Sequence, residues 1–337
     1  MTGNSSVSID VSVENIWKSW FLFRRGKRRT KELDIFEYVL EQHFDVLCTD
    51  LNDGSYRHGG YRRFVVTDNK RREICVASVC DRIVHRLVYE YLIAFYDRTF
   101  IFDVWSCRKE KGLIGAIDRT QEFLWQHRKR FVWRADVRKF FDHVDHEVLQ
   151  EILSLRVTDS FARALLTEII DSYVVPARER ERERESKEAR QKGIPIGNLT
   201  SQIFANVYLN EFDRYVKHIL KPRAYLRYGD DFIIIADTRG ELLHLRMFAR
   251  TFLREKLRLE LHQKNDILVP VRQGLLFLGV EVFPNGRRLK KRNWRRTLDR
   301  VERGSIASYA GLMGQHGTKK KQKEFWWEVL EKFEHEL

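Results

Sequence analysis

Cysteine is scarce: Cys48, Cys75, Cys80 and Cys107 are the only four in 337 residues. None stands at a paired metal-ligand spacing, and so few read as reduced, mostly core residues rather than a disulfide framework. No secretory signal opens the chain, and no apolar run reaches the ~18–20 residues of a membrane span. A cytoplasmic protein without a membrane partner is expected. Negative charge is in deficit: 48 Asp and Glu stand against 62 Lys and Arg, for a formal net charge of +14. That excess points to a polyanionic partner, because neutralising phosphates releases counterions. A basic surface that only aids solubility is the plainer alternative. The length suits one large catalytic unit with subdomains around a sizeable core.

The densest chemistry lies in Arg227-Tyr228-Gly229-Asp230-Asp231-Phe232 and the apolar run that follows it. Residues 226–228 and 232–236 read as two strands, with Gly229 permitting a tight turn between them. Neighbouring strand residues point to opposite faces, so adjacent Asp residues serve one site only from a turn. Two carboxylates held together are offset by a hard divalent cation such as Mg²⁺. A solvated Asp-rich turn is the bland alternative. Residues 131–137 read as another strand, with Asp136 near its end and a helix capped by Asp145 beyond it. Asp136, Asp230 and Asp231 together are able to hold two Mg²⁺ ions roughly 3.5–4 Å apart, as in polymerases. Asp142 and Asp145 qualify by residue type, but fall after the strand, where capping or surface ion pairs explain them.

At this point the chain resembles reverse transcriptases. Asp136-Val137-Arg138-Lys139-Phe140-Phe141-Asp142, Gly193-Ile194-Pro195-Ile196-Gly197-Asn198-Leu199-Thr200-Ser201-Gln202, Tyr228-Gly229-Asp230-Asp231 and Phe277-Leu278-Gly279 stand in the order of that family's blocks. The resemblance runs from about residue 17 to about 317. Ile196-Gly197 and Ser201-Gln202 replace the Gln-Gly and Ser-Pro usual in retron and group II intron enzymes. This version looks like the diversity-generating retroelement and bacterial defence-associated groups.

The resemblance implies an α+β right-hand polymerase fold. It places an N-terminal region and fingers at 1–130, a palm whose antiparallel sheet carries the catalytic Asp residues at 131–280, and a short helical thumb at 281–337. It implies catalytic Asp136, Asp230 and Asp231, with Val137 beside them at the metal site. The metal is Mg²⁺, two ions, with Mn²⁺ as a substitute. Incoming dNTPs fall to Arg72 in a hairpin, with Lys70 and Arg71 as rivals, to Ile196 and Gly197, and to Lys264. Phe141 takes the place of an aromatic gate against ribose, with Phe140 as the alternative. Nucleic-acid contacts fall to Tyr228 and Gly229, to Phe277, Leu278 and Gly279 of a primer-grip hairpin, and to the basic run that includes Arg288, Lys290, Lys291 and Arg292. Basic side chains with Trp294 among them suit a duplex read by shape and backbone. Arg24 and Arg25 open a further basic run suited to RNA.

No ribonuclease H cluster follows the thumb region, and no space for a maturase, integrase or endonuclease domain is expected. The implied partners are therefore a structured non-coding RNA template, a DNA or RNA primer, and an accessory protein or second copy of the chain. A catalytically idle RNA-binding scaffold of the same fold is the rival from another class. Coarse periodicity adds helices at 16–23, 32–51, 79–95, 114–126, 145–155, 160–171, 199–220 and 241–256, and a hairpin across 56–78. An Arg/Glu alternation at 178–192, in an insert at about 177–192, places like charges at i,i+4 on a helix, which is unfavourable. It reads as an exposed loop or two-stranded projection.

Overall fold

The computed structural model describes residues 8–67, 71–173, 175 and 191–334. Lys70, the first seven residues and nearly all of the Arg/Glu stretch lie outside the described residues. The chain divides into two compact units that alternate along the sequence. One comprises Met1–Ile101, Arg138–Tyr215 and Arg250–Glu260; the other comprises Phe102–Val137, Val216–Ala249 and Leu261–Leu337.

The first unit is mostly helical. Ser12 caps the helix Val13–Arg24, its hydroxyl accepting from the Asn15 N–H at 3.3 Å. The single helix expected at 32–51 is two, Lys31–Tyr38 and Leu40–Asp53, broken at Val39 with φ −121° and ψ 34°. The break has a packing consequence: the rings of Phe36 and Phe44, one from each helix, both reach Trp20, at 5.3 and 6.2 Å. Val79–Tyr96 supplies a long buried helix, started by a Ser78 cap. The helix Leu199–Arg214 is buried on nearly every side, so it shows little amphipathic periodicity. Its α-helical part ends at Arg214 and a π-helical stretch covers Tyr215–Leu220, so helical backbone reaches the expected residue 220. This unit also carries the antiparallel hairpin β1 (Arg62–Thr67) and β2 (Arg71–Val76), in which Thr67 pairs with Arg71.

The second unit is built on a four-stranded antiparallel sheet. Its strands are β3 (Phe131–Asp136), β4 (Ala224–Tyr228), β5 (Asp231–Ala236) and β6 (Ile267–Pro270), in the order β4-β5-β3-β6. Every residue of β5 is buried, which is why its sequence after Asp231 is a continuous apolar run rather than an alternation. Strands β7 (Leu275–Phe277), β8 (Val280–Phe283) and β9 (Gly286–Leu289) form a second antiparallel sheet. Val132, Leu226, Ile233 and Ile235 of the first sheet share a core with Phe277, Val280 and Val282 of the second and with Ile117 and Leu124 of the helix Leu113–Gln126. Three helices close the chain, Lys291–Arg300, Ile306–His316 and Lys319–Phe333, around a smaller core of Val301, Met313, Phe325 and Val329. Residues 257–261 pair only at Leu261, which bridges Val137. The positive φ of 52° at Arg258 interrupts the extended backbone there. Among the described residues, no helix is long and apolar enough to cross a membrane.

Candidate active site

The turn between β4 and β5 contains only Gly229 and Asp230, because Tyr228 already pairs with Asp231. Gly229 has φ 62°, a conformation glycine adopts without a Cβ penalty. Both of its backbone polar groups are satisfied. Its N–H donates to Ser106 Oγ at 2.8 Å, and its carbonyl accepts from Arg227 Nη1 at 2.9 Å. Arg227 is almost fully buried. The stretch 103–105 runs beside β4: Arg227 N–H donates to the Asp103 carbonyl and Trp105 N–H to the Arg227 carbonyl, both at 2.9 Å. The turn is therefore fixed from two sides.

Asp231 opens β5 and lies directly opposite Asp136, the last residue of β3. Residues so opposed hold their Cβ atoms about 4.5–5.5 Å apart. Val137 N–H donates to the Asp230 carbonyl at 3.1 Å, which ties the third acidic residue to the same end of the sheet. The structure thus brings Asp136, Val137, Asp230 and Asp231 together.

Each of the two opposed carboxylates has a specific neighbour. Asp136 Oδ2 accepts from Asn265 Nδ2 at 2.8 Å. Asn265 ends the short turn Gln263–Asn265, and the next residue, Asp266, accepts from Trp133 Nε1 at 2.6 Å and from Arg246 Nη2 at 2.5 Å. Asp231 accepts from the Arg134 guanidinium through both oxygens, from Nε at 2.9 Å and Nη2 at 2.6 Å. These donors leave carboxylate oxygens, the hard ligands Mg²⁺ prefers, at one end of the sheet. Among the described residues no three His, Cys, Asp or Glu side chains already form a metal cage. The donor set suits the ion.

The family described as reverse transcriptase (RNA-dependent DNA polymerase) matches residues 62–282, about two thirds of the chain. The chain belongs to the reverse transcriptase family. It is therefore a member of a family of RNA-directed DNA polymerases, which use divalent metal ions. Among its relatives, protein YkfC of Escherichia coli is 24% identical over 277 residues, 71% of each chain. The group II intron-encoded protein LtrA of Lactococcus lactis is 20% identical over 307 residues, 72% of this chain and 50% of LtrA. The chain thus spans half the length of that relative. A telomerase from Candida albicans, solved with a TWJ fragment of telomeric RNA, superposes with a TM-score of 0.52 at 12% identity, over 83% of this chain and 54% of the telomerase. The fold is the right-hand polymerase fold, α+β with antiparallel sheets.

The remaining expected positions of this reverse transcriptase fall in both units. In the first, Arg72 is exposed on β2, opposite Val66. Phe140 is core, while Phe141 is half-buried. The Ile196 carbonyl accepts from the Cys75 N–H at 2.9 Å. Gly197 has φ 118°, and a Cβ there would meet Ile74 Cγ2 at 2.8 Å, so this loop passes very close to β2. Asn198 stands at the N-cap position of the helix without making a capping bond; its amide accepts from Ala77 N–H at 3.3 Å and donates to the Cys75 carbonyl at 2.7 Å. Asp145 caps its helix as expected, but it is fully buried and paired with Arg258 at 2.9 Å rather than lying on the surface. Arg24 pairs with Glu37 and with the Lys27 carbonyl, and Arg25 is exposed.

In the second unit, Lys264 is exposed in the turn beside Asn265. Tyr228 packs against the sheet core. Phe277 is wholly buried, so its ring anchors the hairpin from below while Leu278 (φ 51°) and Gly279 (φ 84°) form the turn. Asn293 Nδ2 donates to the Gly279 carbonyl at 3.0 Å. The basic run divides between β9 and the helix Lys291–Arg300. Arg288 pairs with Glu281, whereas Lys290, Lys291 and Arg292 are exposed. Arg288, Lys291, Trp294, Arg295, His316 and Lys321 help line a cleft of about 660 Å³. Arg134, Asn265, Ser106 and Arg227 were missed as site residues. Arg134 was findable, standing two residues before Asp136 and so on the same strand face. Ser106 carries no local signal, because its role depends on a contact 123 residues away.

Proposed function

We propose that this chain is an RNA-directed DNA polymerase that copies a structured non-coding RNA into cDNA, in a prokaryotic diversity-generating retroelement or an anti-phage defence system. The observation that carries the activity is the opposition of Asp136 and Asp231, with Asp230 bonded through its carbonyl to Val137. Asp136, Asp230 and Asp231, with Val137 beside them, would hold two Mg²⁺, and Mn²⁺ would substitute. When bound, the ions supply the clamp on attacking and leaving oxygens that in-line phosphoryl transfer needs. The chain's own residues do the rest. Asn265 and Arg134 orient the opposed carboxylates. The Arg72 guanidinium fork neutralises the triphosphate of the dNTP, with Lys264 as a second cation. Ile196 and Gly197 pack the base pair without hydrogen bonds, and the Phe141 ring excludes a ribose 2′-hydroxyl. Lys290, Lys291 and Arg292 grip the backbone of the template–primer duplex. The retroelement or defence setting rests on Ile196-Gly197 and Ser201-Gln202, and an accessory protein or second copy of the chain would assist.

The test is extension of a DNA primer annealed to RNA. Incorporation of dNTPs with Mg²⁺, abolished by a chelator, is expected. A folded chain that binds RNA but incorporates nothing is the idle scaffold instead. Sequencing the DNA made in cells identifies the template and separates diversity generation from defence.

A further inference from the structure

We propose that Arg134 is a built-in counter-ion for Asp231, competing with a divalent cation for that carboxylate and so setting how tightly the site takes metal. The inference rests on the metal-site reading above and goes one step beyond it. Arg134 pairs across the sheet with Ile233, and Asp136 pairs with Asp231. Asp231 therefore lies directly opposite Asp136 and diagonal to Arg134 on one sheet face, within reach of a long side chain. Like charges directly opposed destabilise a sheet, and a buried carboxylate without a partner is costly.

Arg134 offsets both costs. Its Nε and Nη2 donate to the two oxygens of Asp231 at 2.9 and 2.6 Å, and the two side chains are only 12% and 13% exposed. Its remaining arm is committed elsewhere: Nη1 donates to the Leu276 carbonyl of β7 at 2.7 Å. The guanidinium also sits 5.9 Å from the centre of the Phe277 ring. Arg134 is thus held by a second strand independently of Asp231, and its fork meets the carboxylate as a planar, bidentate donor. A carboxylate bonded in this way has about two of its roughly four lone-pair sites occupied and a positive charge beside it. A cation at Asp231 therefore competes with the guanidinium, and the competition lowers the apparent metal affinity. Arg134 is a positioning residue in this account; it acts on the reaction only through Asp231.

The test measures Mn²⁺ binding by the full chain, from the electron paramagnetic resonance signal of free Mn²⁺, without nucleotide or nucleic acid. Wild type, Arg134→Gln, Asp231→Asn and the double variant form a cycle. Arg134→Gln should tighten Mn²⁺ binding about tenfold, and the same change in the Asp231→Asn background should alter it by less than about twofold. Unchanged or weaker binding by Arg134→Gln overturns the proposal, because a mere brace would behave that way. Equal tightening in both backgrounds also overturns it, since that reflects general charge rather than competition at Asp231. If Arg134→Gln does not fold, Arg134→Lys keeps the charge but not the fork. It should tighten binding by a smaller factor, and no tightening again overturns the proposal. Asp136→Asn and Asp230→Asn separate the two levels. If neither weakens Mn²⁺ binding, the metal-site reading itself fails; if both do, a failure of the Arg134 variants falls on the counter-ion alone.

Discussion

Two antiparallel hairpins in this chain are disposed of in opposite ways. In β4–β5 every residue of β5 is buried, and the turn between the strands is bonded by Ser106 and Arg227. In β1–β2 all six residues of β1 are exposed, including Phe64, Val65 and Val66 at 42–46%. Both runs contain β-branched residues, so strand propensity does not separate them. Context does. Residues 232–236 are uniformly apolar and are covered on both faces. Arg62-Arg63-Phe64-Val65-Val66 begins with two charges that keep that strand in water. The contrast matches the roles proposed for them. Ligands to a metal need a frame that does not yield, whereas a strand pair that meets a triphosphate must keep its cations accessible.

The largest effect that can break this comparison is a cavity. Ile234→Ala should cost about 2–4 kcal/mol, against less than about 0.5 kcal/mol for Val65→Ala. Denaturant titration of both variants decides; similar losses would erase the distinction between the hairpins. The same contrast separates the cations. Arg134 and Arg227 are internal fixtures, while Lys290, Lys291 and Arg292 are exposed. Neutralising those three together should weaken binding to duplexes of unrelated sequence. It should also flatten the salt dependence by roughly 0.7–0.9 in slope for each phosphate that is no longer neutralised. An unaltered slope moves the grip elsewhere, with Arg24 and Arg25 next in line.

A smaller effect is expected at Phe141, which is half-buried where Phe140 is core. Phe141→Ala should raise rNTP use relative to dNTP without unfolding the chain. An unchanged ratio in an active variant assigns the gate to another residue. The smallest concerns His85, buried beside His58, Asp81 and Arg82, where burial pushes its pKa down from 6.5 to about 3. Between those values the unfolded chain binds the proton and the folded chain does not, so stability falls as pH falls from about 6.5 to about 3. Melting temperatures at pH 7 and pH 5 should drop less in His85→Gln than in wild type; equal drops would place the acid sensitivity elsewhere.

Much of this architecture is legible in residue order. The Gly229-Asp230-Asp231 turn, the strand that carries Asp136 and the helix after Asp145 are local features, and local pattern is enough to find them. What escaped depends on distance in the chain. The break at Val39 goes with contacts of Phe36 and Phe44 to Trp20, which lies on another helix. The bonds of Asn265 to Asp136 and of Ser106 to Gly229 join residues more than 120 positions apart, which no periodicity announces. Asn198 stands at an N-cap position, yet it bonds β2 instead because the loop passes within reach of Cys75. Phe277 lies in the core rather than at the surface for the same reason: strand pairing, invisible locally, decides which face of a hairpin is covered.

The central claim is that Asp136, Asp230 and Asp231 form one metal-dependent catalytic centre. Its most direct test is single-nucleotide extension of a DNA primer on an RNA template, comparing wild type with Asp230→Asn and Asp231→Asn under saturating Mg²⁺. The account predicts a loss of about a thousandfold or more in each variant, with RNA binding preserved in both and melting temperature preserved in Asp230→Asn; Asp231→Asn also breaks the buried pair with Arg134 and should melt lower. Near-normal extension by both variants would contradict it.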